Sequence, residues 1–311
     1  MLCEYMHNTA LTIWCFLDGK PGHEKQSRGL IQGLQALRPV HVNTIPLSGG
    51  LFQRLKQTQH TCAVLARTSR PHLLIGAGHA THVPLLLART LYGGRSIVLM
   101  KPSLPVNCFD FVLIPKHDQP KKHARIIATE GALSPVKSGV KNKQQGIILI
   151  GGPDKRVVWN NEQLWRQIKT ICSAQPEIHW QLSTSRRSPE DFILTGEKQT
   201  NLESIQWQDS PAGWLVNQLA EASQCWVTQD SVSMLYEALS AHCAVGVLEL
   251  ASRKDNKISR NLSRLVAENY VTPFSQWNPK HRLTRSPHPL QEHLRCAKII
   301  LAACQELAPK Y

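Results

Sequence analysis

The sequence predicts an α/β protein with two doubly wound parallel sheets. Apolar runs of strand length alternate with segments of helical periodicity along most of the 311 residues, as is typical of parallel strands joined by right-handed crossovers. A polar stretch without periodicity, residues 130–145, interrupts this alternation once. Because the chain is longer than one core usually organises, we expect two Rossmann-like domains, residues 1–140 and 141–311. The last helix is a candidate to pack back onto the N-terminal domain.

Each half supplies enough strands and helices for one such sheet. The predicted strands of the first half are LTIWCFL, VHVNTIPL, HLLIG, SIVLM, FDFVLI and ARIIAT, and its predicted helices are residues 25–37, 51–57 and 81–91. The predicted strands of the second half are GIILIGG, EIHWQLSTS, CWVTQ and AVGVLEL, and its predicted helices are residues 161–173, two that begin at 213 and 231, and residues 290–307.

The charge balance favours an anionic partner. The chain has 36 Lys and Arg residues against 22 Asp and Glu residues, which gives a net charge of +14. Nucleic acid is disfavoured because the sequence lacks zinc-finger spacing, an aromatic RNA-binding signature and a dense basic tail. An acidic lipid or membrane surface is supported by the basic residues between Pro115 and Arg125, which follow Phe109, Phe111 and Leu113. A solvated loop after a strand is the alternative interpretation of that stretch.

The cysteines and the apolar runs indicate a cytoplasmic protein. The 9 cysteines form no Cys-x-x-Cys pair and lie mainly in apolar runs, which argues for a reducing compartment and against a structural zinc. Glu4 and His7 interrupt the pattern of a signal peptide, and no segment has the roughly 18 apolar residues of a membrane span. Peripheral contact with the inner face of the cytoplasmic membrane is a further hypothesis, and the oligomeric state is left open.

The first turn of interest, DGKPGHEKQSRGL at residues 18–30, follows the first predicted strand. Open α/β sheets bind ligands beyond the carboxyl ends of their strands, so polar residues in such turns are candidates for a site. Asp18, Lys20 and His23 converge here, and a histidine at the start of a helix suits general-base chemistry. We predict these three as catalytic residues; the alternative is that His23 and Glu24 only cap the helix.

The second turn, GAGHATHVP at residues 76–84, contains Gly76 and Gly78, which permit a tight turn and close backbone approach. Thr81 stands where a dinucleotide-binding fingerprint needs its third glycine, so a dinucleotide oxidoreductase is disfavoured. His79 and His82 have no third ligand nearby in the sequence, so we expect no metal.

Two turns of the second half offer groups that bind phosphate. GGPDKRVVW, residues 151–159, combines exposed backbone N–H groups with basic side chains, but it lacks the Gly-Lys-Ser/Thr ending of an ATP-binding loop. LSTSRRSPED, residues 182–191, could clamp a diphosphate, and a basic loop before a helix is the alternative. The predicted phosphate-binding residues are Gly151, Gly152, Lys155, Ser185, Arg186 and Arg187.

The most specific turn lies in CWVTQDSVSMLYEALSAHCAVGVLEL, residues 225–250. Asp230 or Ser231 is expected to cap the helix that follows the strand, and the hydroxyls of Ser231 and Ser233 accompany the N–H groups of its first turn as an anion site. Glu237 lies further along among apolar neighbours, and a buried carboxylate requires partners. We predict that Glu237 binds ribose hydroxyls; an exposed helix position is the alternative.

Together, these turns resemble the bacterial and plant family related to the mitochondrial-fission ("elongated mitochondria") protein, which is described as a family of predicted nucleotide-sugar enzymes. The stretches that carry the resemblance are DGKPGHEKQSRGL, GAGHATHVP, KPSLP, GGPDKR, TSRRSP and TQDSVSMLYEA, and they cover most of the chain. More distantly, the layout is similar to GT-B glycosyltransferases, especially the enzyme that adds N-acetylglucosamine to lipid-linked peptidoglycan precursors. Lys20 and Pro21 depart from that enzyme, which has glycines there.

The resemblance implies a GT-B-like fold in which two Rossmann-like domains face a cleft. It implies an acceptor side with Gly76, Gly78, His79 and Thr81, where His23 or Asp18 takes a proton. It also implies a donor side with the phosphate-binding residues named above and with Asp230, Ser231, Ser233 and Glu237. The implied reaction is an inverting, metal-independent transfer of a sugar from a nucleotide-diphosphate sugar to a cell-envelope lipid or saccharide, without a bound cofactor.

Two other functions are weighed against this one. The plant relatives are discussed as fission factors that recruit a dynamin-like protein, so a non-enzymatic, membrane-associated adaptor of the same shape is the main rival. A nucleotide-sugar epimerase is disfavoured because the sequence has neither a Tyr-x-x-x-Lys pair nor a Gly-x-Gly-x-x-Gly fingerprint.

Overall fold

The structure is a computed structural model that describes residues 10–137, 139–253 and 257–306. The chain divides into two compact units: the first combines residues up to 135 with those from 291 onward, and the second contains residues 136–290. Each unit contains one six-stranded parallel sheet. The predicted α/β class with two doubly wound sheets is therefore confirmed. The first division falls inside the predicted linker, and the assignment of residues 1–140 and 141–311 to two domains stays a prediction.

Strands and helices alternate through the described residues. The strands are β1 (Leu11–Leu17), β2 (Val40–Pro46), β3 (Leu73–Ala77), β4 (Arg95–Leu99), β5 (Phe111–Pro115), β6 (Ile126–Thr129), β7 (Asn142–Leu149), β8 (Val157–Val158), β9 (His179–Ser183), β10 (Leu202–Ile205), β11 (Ala222–Thr228), β12 (Ala244–Leu248), β13 (Ala251–Ser252) and β14 (Val271–Pro273). The α-helices are α1 (Pro21–Gln35), α2 (Leu51–Ala66), α3 (His82–Tyr92), α4 (Asn161–Ala174), α5 (Trp214–Glu221), α6 (Val232–Ser240), α7 (Lys257–Ala267) and α8 (Glu292–Glu306). Short 3₁₀ turns cover His79–Thr81, Val106–Cys108, Lys116–Asp118 and Phe274–Gln276.

The sheet of the first unit has the strand order β2-β1-β3-β4-β5-β6. Successive side chains of a strand point to opposite faces. Ile13 and Cys15 of β1 therefore join an apolar cluster with α1 and α8, whereas Trp14 and Phe16 join a second cluster with α2 and α3. Burial on both faces explains why β1 is apolar almost throughout. The order of connection reverses between β1 and β3, which is where such sheets bind ligands.

The last helix, α8, belongs to the first unit. Cys296, Ala297 and Ile300 are fully buried in the same apolar cluster as α1. At the start of α8, the Glu292 carboxylate accepts a hydrogen bond of 2.9 Å from the backbone N–H of Glu130. Residues separated by more than 150 positions in the sequence thus complete one core.

The sheet of the second unit has the strand order β10-β9-β7-β11-β12-β14. Ile147 and Leu149 of β7 pack on the face that α5, α6 and α7 cover, and Ile148 and Ile150 pack on the face that α4 covers. Here the order reverses between β7 and β11, so the turns after these two strands occupy the position of a ligand site.

Several elements differ from the sequence-based expectation. The edge strand β10 was not predicted because LESI is short, has only two apolar residues and buries none of its side chains. β7 begins at Asn142, so the end of the predicted linker is a strand. Helix α7 was also not predicted, although Ile258, Leu262 and Leu265 recur at helical spacing.

The described part of the chain contains no helix that is both long and apolar enough to span a membrane. Its cysteines are free thiols. Burial raises the pKa of the Cys15, Cys62 and Cys172 thiols to about 12, so these groups stay protonated and pack as small apolar side chains.

Candidate functional site

An acid–base pair lies at the carboxyl end of β1 in the first unit. Asp18 directly follows this strand, and its Oδ2 atom lies 2.8 Å from Nδ1 of His23. Helix α1 begins at Pro21, four residues earlier than expected, because proline fits the first position of a helix. The Asp18 side chain is only 2% exposed, whereas that of His23 is 18% exposed. The buried carboxylate therefore orients an imidazole that solvent or a ligand can reach.

The turn after β3 approaches this pair closely. Gly78 has φ +82°, and a Cβ atom there would lie 2.3 Å from Nδ1 of His23 and 3.2 Å from Oδ2 of Asp18. Only glycine permits both this conformation and this approach. The hydroxyl of Thr81 donates to the carbonyl of Gly78 at 2.8 Å, and a Cβ atom at Gly76 would lie 2.6 Å from that hydroxyl. Thr81 and Gly76 thus shape the turn, while His79 is exposed.

This geometry assigns different roles to the three predicted catalytic residues. If Nδ1 of His23 donates its proton to Asp18, Nε2 keeps a lone pair and can accept a proton from a ligand hydroxyl. In that tautomer Asp18 orients the ring, and the role of His23 as a base stays a prediction. Lys20 contributes its backbone: its N–H donates to Oδ1 of Asp18 at 3.2 Å, and its side chain is exposed.

A second histidine, His82, lies buried at the start of α3. Burial, together with nearby His79, lowers the pKa of His82 to about 4, so its imidazole is neutral near pH 7. Nδ1 of His82 lies 3.1 Å from the hydroxyl of Ser103 in the loop after β4, and Nε2 has no hydrogen-bond partner in the described part of the chain. His82 therefore joins two strand-end loops. Among the described residues, no group of three or more His, Cys, Asp or Glu side chains is arranged to hold a metal ion.

In the second unit, side chains bind the backbone of the glycine turn after β7. The N–H of Gly151 donates to the Thr228 hydroxyl at 2.7 Å, and the N–H of Gly152 donates to Oδ2 of Asp230 at 3.0 Å. The expectation that these two N–H groups are open to a phosphate is wrong, because oxygen atoms from the end of β11 and the turn after it already bind them. Contact between these two glycines and a nucleotide-sugar donor stays a prediction.

Asp230 also holds Arg187. Nη2 of Arg187 donates to Oδ2 of Asp230 at 2.7 Å, and Nη1 donates to the carbonyl of Gly152 at 3.2 Å. The hydroxyl of Ser185 donates to the carbonyl of Gly151 at 2.9 Å. We call Gly151, Gly152, Ser185, Arg187 and Asp230 the glycine-turn cluster. The Asp230 side chain is 0% exposed, whereas that of Arg187 is 44% exposed, so one side of the guanidinium remains accessible.

Close packing explains the glycines of this cluster. A Cβ atom at Gly151 would lie 2.2 Å from Oδ2 of Asp230, and one at Gly152 would lie 2.0 Å from the carbonyl oxygen of Arg187. Oδ1 of Asp230 has no hydrogen-bond partner among the described residues, although it is buried. The cluster is therefore assembled around a desolvated negative charge that one arginine compensates.

Helix α6 begins beside this cluster with an open amino terminus. Ser231 occupies the N-cap position, but its side chain makes no capping hydrogen bond. Asp230 does not cap the helix either, because its Oδ2 binds Gly152 and Arg187. The first N–H groups of a helix have no partner within the helix and carry partial positive charge, so this terminus is suited to an anion.

Glu237 lies on α6 in a buried position, as the sequence predicts. Its Oε1 atom accepts a hydrogen bond of 3.2 Å from the Ser233 hydroxyl one turn earlier. Leu235, Ala238 and Leu239 around it are buried as well. The carboxylate is thus held on the helix whose amino terminus is open, and its role in binding ribose stays a prediction.

The remaining basic residues of these turns are arranged differently from one another. Arg156 binds the Asp154 carboxylate at 2.6 and 2.7 Å, and this hydrogen-bonded pair holds the pKa of Asp154 well below its usual range. The Arg186 guanidinium lies 5.8 Å from the centre of the Trp207 ring. Lys155 is exposed. Among the described residues, two of the cations predicted to bind phosphate are therefore accessible to a ligand. They are Lys155, which is exposed, and Arg187 on the side of its guanidinium that does not bind Asp230.

Thr228, Ser188 and Ser103 were not singled out within these turns from the sequence, although each makes a hydrogen bond that shapes a turn or joins two loops. The Ser188 hydroxyl donates to the carbonyl of Ile150 at 3.0 Å, although its position before Pro189 suggested only a helix start. Small hydroxyl residues within two positions of a strand end are the available signal, and it is a weak one.

The apolar residues that the sequence places beside the basic stretch between Pro115 and Arg125 are not on the surface. Phe109, Phe111 and Leu113, which the sequence placed next to it, are buried in the core of the first unit. These three residues therefore do not contribute to a membrane-surface patch, because they belong to β5 and to the turn that precedes it; contact of the basic residues with a membrane stays a prediction.

Comparison with solved structures shows which known folds this chain resembles. A protein described as a UDP-N-acetylglucosamine 2-epimerase from Listeria monocytogenes aligns with a TM-score of 0.61 at 11% identity over 96% of each chain. The UDP-GlcNAc 2-epimerase from Neisseria meningitidis bound to UDP-GlcNAc has a TM-score of 0.57 at 11% identity, over 95% of this chain and 100% of that chain. CalG4, the calicheamicin glycosyltransferase, has a TM-score of 0.50 at 12% identity, over 96% and 100%. These likenesses concern the fold alone, which is GT-B-like.

The family follows from the sequence itself. The profile of the family described as Mitochondrial fission ELM1 matches residues 21–304. This chain belongs to the mitochondrial fission ELM1 family. A comparison with curated proteins finds no match. Proteins described as epimerases thus occur among the structures of similar fold.

Proposed function

We propose that this protein is an inverting, metal-independent glycosyltransferase that moves a sugar from a nucleotide-diphosphate sugar to a cell-envelope lipid or saccharide. The observation that carries the proposal is the Asp18–His23 pair at the carboxyl end of β1, within a GT-B-like fold. An inverting transfer needs one base that takes the proton of the acceptor hydroxyl, and a partly exposed imidazole oriented by a buried carboxylate suits that task.

The donor side of the proposal rests on the second unit. The open amino terminus of α6, with the hydroxyls of Ser231 and Ser233, would bind the diphosphate, and Glu237 would accept hydrogen bonds from the ribose. A guanidinium has five N–H donors, so the accessible side of Arg187 can contact a phosphate while the bond to Asp230 persists. Negative charge that develops on the leaving diphosphate would be stabilised by these N–H groups and by Arg187 and Lys155.

The reaction follows from these roles. Nε2 of His23 takes the proton of the acceptor hydroxyl, and the acceptor oxygen attacks the anomeric carbon of the sugar. The bond between that carbon and the diphosphate oxygen breaks, and the nucleoside diphosphate leaves with the electron pair. Because this is a single displacement, the configuration at the anomeric carbon inverts.

The acceptor and the location belong to the same proposal. The net charge of +14 suits an anionic envelope lipid, which would make the protein cytoplasmic and peripheral on the inner face of the cytoplasmic membrane. The second candidate function, a non-enzymatic adaptor, is favoured by membership of the mitochondrial fission ELM1 family.

Calorimetric titration with UDP and other nucleoside diphosphates tests the donor side. We expect wild-type protein to bind at least one of them, and Glu237→Gln to weaken that binding by about tenfold or more because a hydrogen-bonded charge is lost. Glu221→Gln, an exposed position at the end of α5, is the matched control and should bind like the wild type. Absence of binding to every nucleotide would contradict the proposal.

Product analysis separates transfer from its alternatives. Wild-type protein with a bound donor and envelope lipid should yield a glycosylated lipid of inverted configuration, and His23→Ala should abolish that product while nucleotide binding persists. Nucleotide binding with no transfer, together with a cellular role that His23→Ala leaves intact, would support the adaptor instead. An epimerised nucleotide sugar without any acceptor product would identify an epimerase.

A further inference from the structure

The first unit contains a long stretch without acidic residues. No Asp or Glu occurs between Glu24 and Asp110, although this stretch includes three of the six strands of the first sheet, β2, β3 and β4. Its ten basic residues are Lys25, Arg28, Arg38, Arg54, Lys56, Arg67, Arg70, Arg89, Arg95 and Lys101. The two acidic residues at its borders are already paired: Glu24 binds Arg28 at 3.3 Å, and Asp110 binds Arg89 at 3.1 Å. The positive charge in the middle of the stretch is therefore not compensated by the residues that border it.

Helix α2 presents this charge on an exposed face. Of its side chains, only Thr58 and Cys62 are buried. The exposed positions recur at helical spacing and form one stripe, which we call the α2 stripe: Phe52, Lys56, His60, Ala63 and Arg67. The described residues contribute no ion pair between this stripe and an acidic side chain. The stripe is thus a basic surface with an apolar residue at one end.

The amino-terminal end of α2 exposes two large apolar side chains next to each other. Leu51 is 52% exposed and Phe52 is 72% exposed, directly after Gly49 and Gly50. Single exposed apolar residues are common on protein surfaces and need no explanation. Here the pair is accompanied by the Lys56 ammonium, which lies 4.7 Å from the centre of the Phe52 ring. An apolar tip beside cations is the arrangement by which interfacial helices bind anionic membranes.

We propose that α2 is a membrane-docking surface that binds a bilayer of anionic phospholipid. Leu51 and Phe52 enter the boundary between headgroups and acyl chains, and the α2 stripe lies on the phosphate groups. Charge selects this occupant: a second copy of the chain would bring its own Lys56 and Arg67 to the contact and be repelled, whereas an anionic bilayer neutralises these cations.

The topology places this surface at a particular edge of the first sheet. β2 lies beside β1 in parallel, and the N–H of Leu47 after β2 donates to the carbonyl of Leu17 at the end of β1. The loop that leads to Leu51 therefore leaves the same sheet edge as Asp18. Docking rests on α2 itself and does not depend on the proposed transfer.

Co-sedimentation of the full chain with lipid vesicles tests the apolar tip. Wild-type protein should bind vesicles of phosphatidylcholine mixed with phosphatidylglycerol, and bind much more weakly to phosphatidylcholine alone. The double variant Leu51→Ser, Phe52→Ser should bind the mixed vesicles at least about tenfold more weakly than the wild type. The reason is that two apolar side chains are no longer transferred from water into the bilayer. Leu194→Ser is the matched control: this leucine of the second unit is 85% exposed, and its loss should change nothing.

Charge reversal tests the α2 stripe. Lys56→Glu with Arg67→Glu should reduce binding to the mixed vesicles and its dependence on salt, because two cations near the headgroups are replaced. Lys198→Glu with Lys280→Glu changes the net charge equally at exposed positions of the second unit and should leave binding unchanged. All substituted residues are exposed, so unchanged melting temperatures provide the check on folding.

Three results would overturn the proposal. Wild-type protein could fail to distinguish anionic from neutral vesicles, or the controls could lose as much binding as the α2 variants. A dimer without vesicles that the Phe52 variant disrupts, seen by sedimentation velocity, would identify a second copy as the occupant. Nucleotide titration of the α2 variants should match the wild type, so a failure of docking is distinguishable from a failure of the proposed transferase.

Discussion

Each unit has a buried aspartate that binds a more exposed basic side chain near the switch point of its sheet. The two pairs differ in whether that basic side chain can exchange its proton near neutral pH. In the first unit the buried carboxylate of Asp18 binds His23, and in the second the buried carboxylate of Asp230 binds Arg187. In both, the partner is the more exposed member. A histidine exchanges its proton near neutral pH, whereas an arginine never does. The same arrangement therefore yields a group able to react in one unit and a fixed charge in the other.

The surroundings of the two pairs also differ: the turn that contains Asp230 is more buried than the turn that contains Asp18. Asp230 binds Gly152 as well as Arg187 and stays fully buried, so the charge of the arginine stabilises the local fold. Asp18 binds His23 and the backbone of Lys20 in a turn with more exposed residues. We infer that the glycine-turn cluster contributes mainly to stability and that the Asp18–His23 pair contributes mainly to function.

The largest effect is expected from breaking the Asp230–Arg187 pair of the second unit. Arg187→Ala leaves the buried Asp230 carboxylate without its cation, which should lower the free energy of unfolding by about 3 to 5 kcal/mol. Urea denaturation measures this change. Arg186→Ala removes an equally charged neighbour that only stacks on Trp207, and should cost less than about 1 kcal/mol. Equal losses in the two variants would show that Asp230 is not the reason for the Arg187 effect.

A smaller effect tests whether burial, rather than residue type, decides which histidine can react. The pKa of buried His82 is lowered to about 4, so between pH 6.5 and 4 the unfolded chain binds a proton that the folded chain does not. Stability should therefore fall as the pH drops through this window, by roughly 3 kcal/mol in total, and level off below it.

The variant His82→Gln removes that proton uptake. Its stability should be less sensitive than the wild type's to pH between 6.5 and 4, as measured by urea denaturation at several pH values. Identical slopes for both proteins would mean that His82 is protonated in the folded state.

The smallest effect is expected from a glycine variant beside the Asp18–His23 pair of the first unit. Gly78→Ala adds a Cβ atom 2.3 Å from Nδ1 of His23 at a φ of +82°, and should cost about 1 to 3 kcal/mol and displace the imidazole. Gly19→Ala has a similar φ of +75° with nothing within 4 Å, so it should cost only the backbone strain, roughly 1 kcal/mol.

Comparing these two glycine variants isolates the clash from the strain. The histidine NMR signals of His23 should shift in Gly78→Ala and stay unchanged in Gly19→Ala. A shift of equal size in both would contradict the close approach of the β3 turn.

The fold was largely predictable because its central strands are buried on both faces. Runs such as LTIWCFL and AVGVLEL are apolar at most positions, and this pattern is typical of a strand that is covered on both faces. β10 and β14 were missed because edge or short strands share this signal only weakly. The amino-terminal part of β7, from Asn142 onward, was missed because its exposed polar residues resemble a linker.

The candidate site was predictable in its location and not in its bonding. Strand-end turns with Gly78, Gly152 or Ser231 indicate where ligands can bind. Nothing in the sequence indicates that the Asp230 carboxylate turns away from its own helix and binds Gly152, because that contact joins residues 78 positions apart. The same holds for His82 and Ser103, whose pairing depends on how two loops fold together.

Helix α8 has a consequence for the order in which the chain folds during synthesis. Its buried residues Cys296, Ala297 and Ile300 complete the core around α1, yet they leave the ribosome only after residues 136–290. At usual rates of translation this delay is on the order of 10 to 30 s. The second unit is continuous in sequence and can fold in that interval, so the half that is encoded later can be the first to reach its native state.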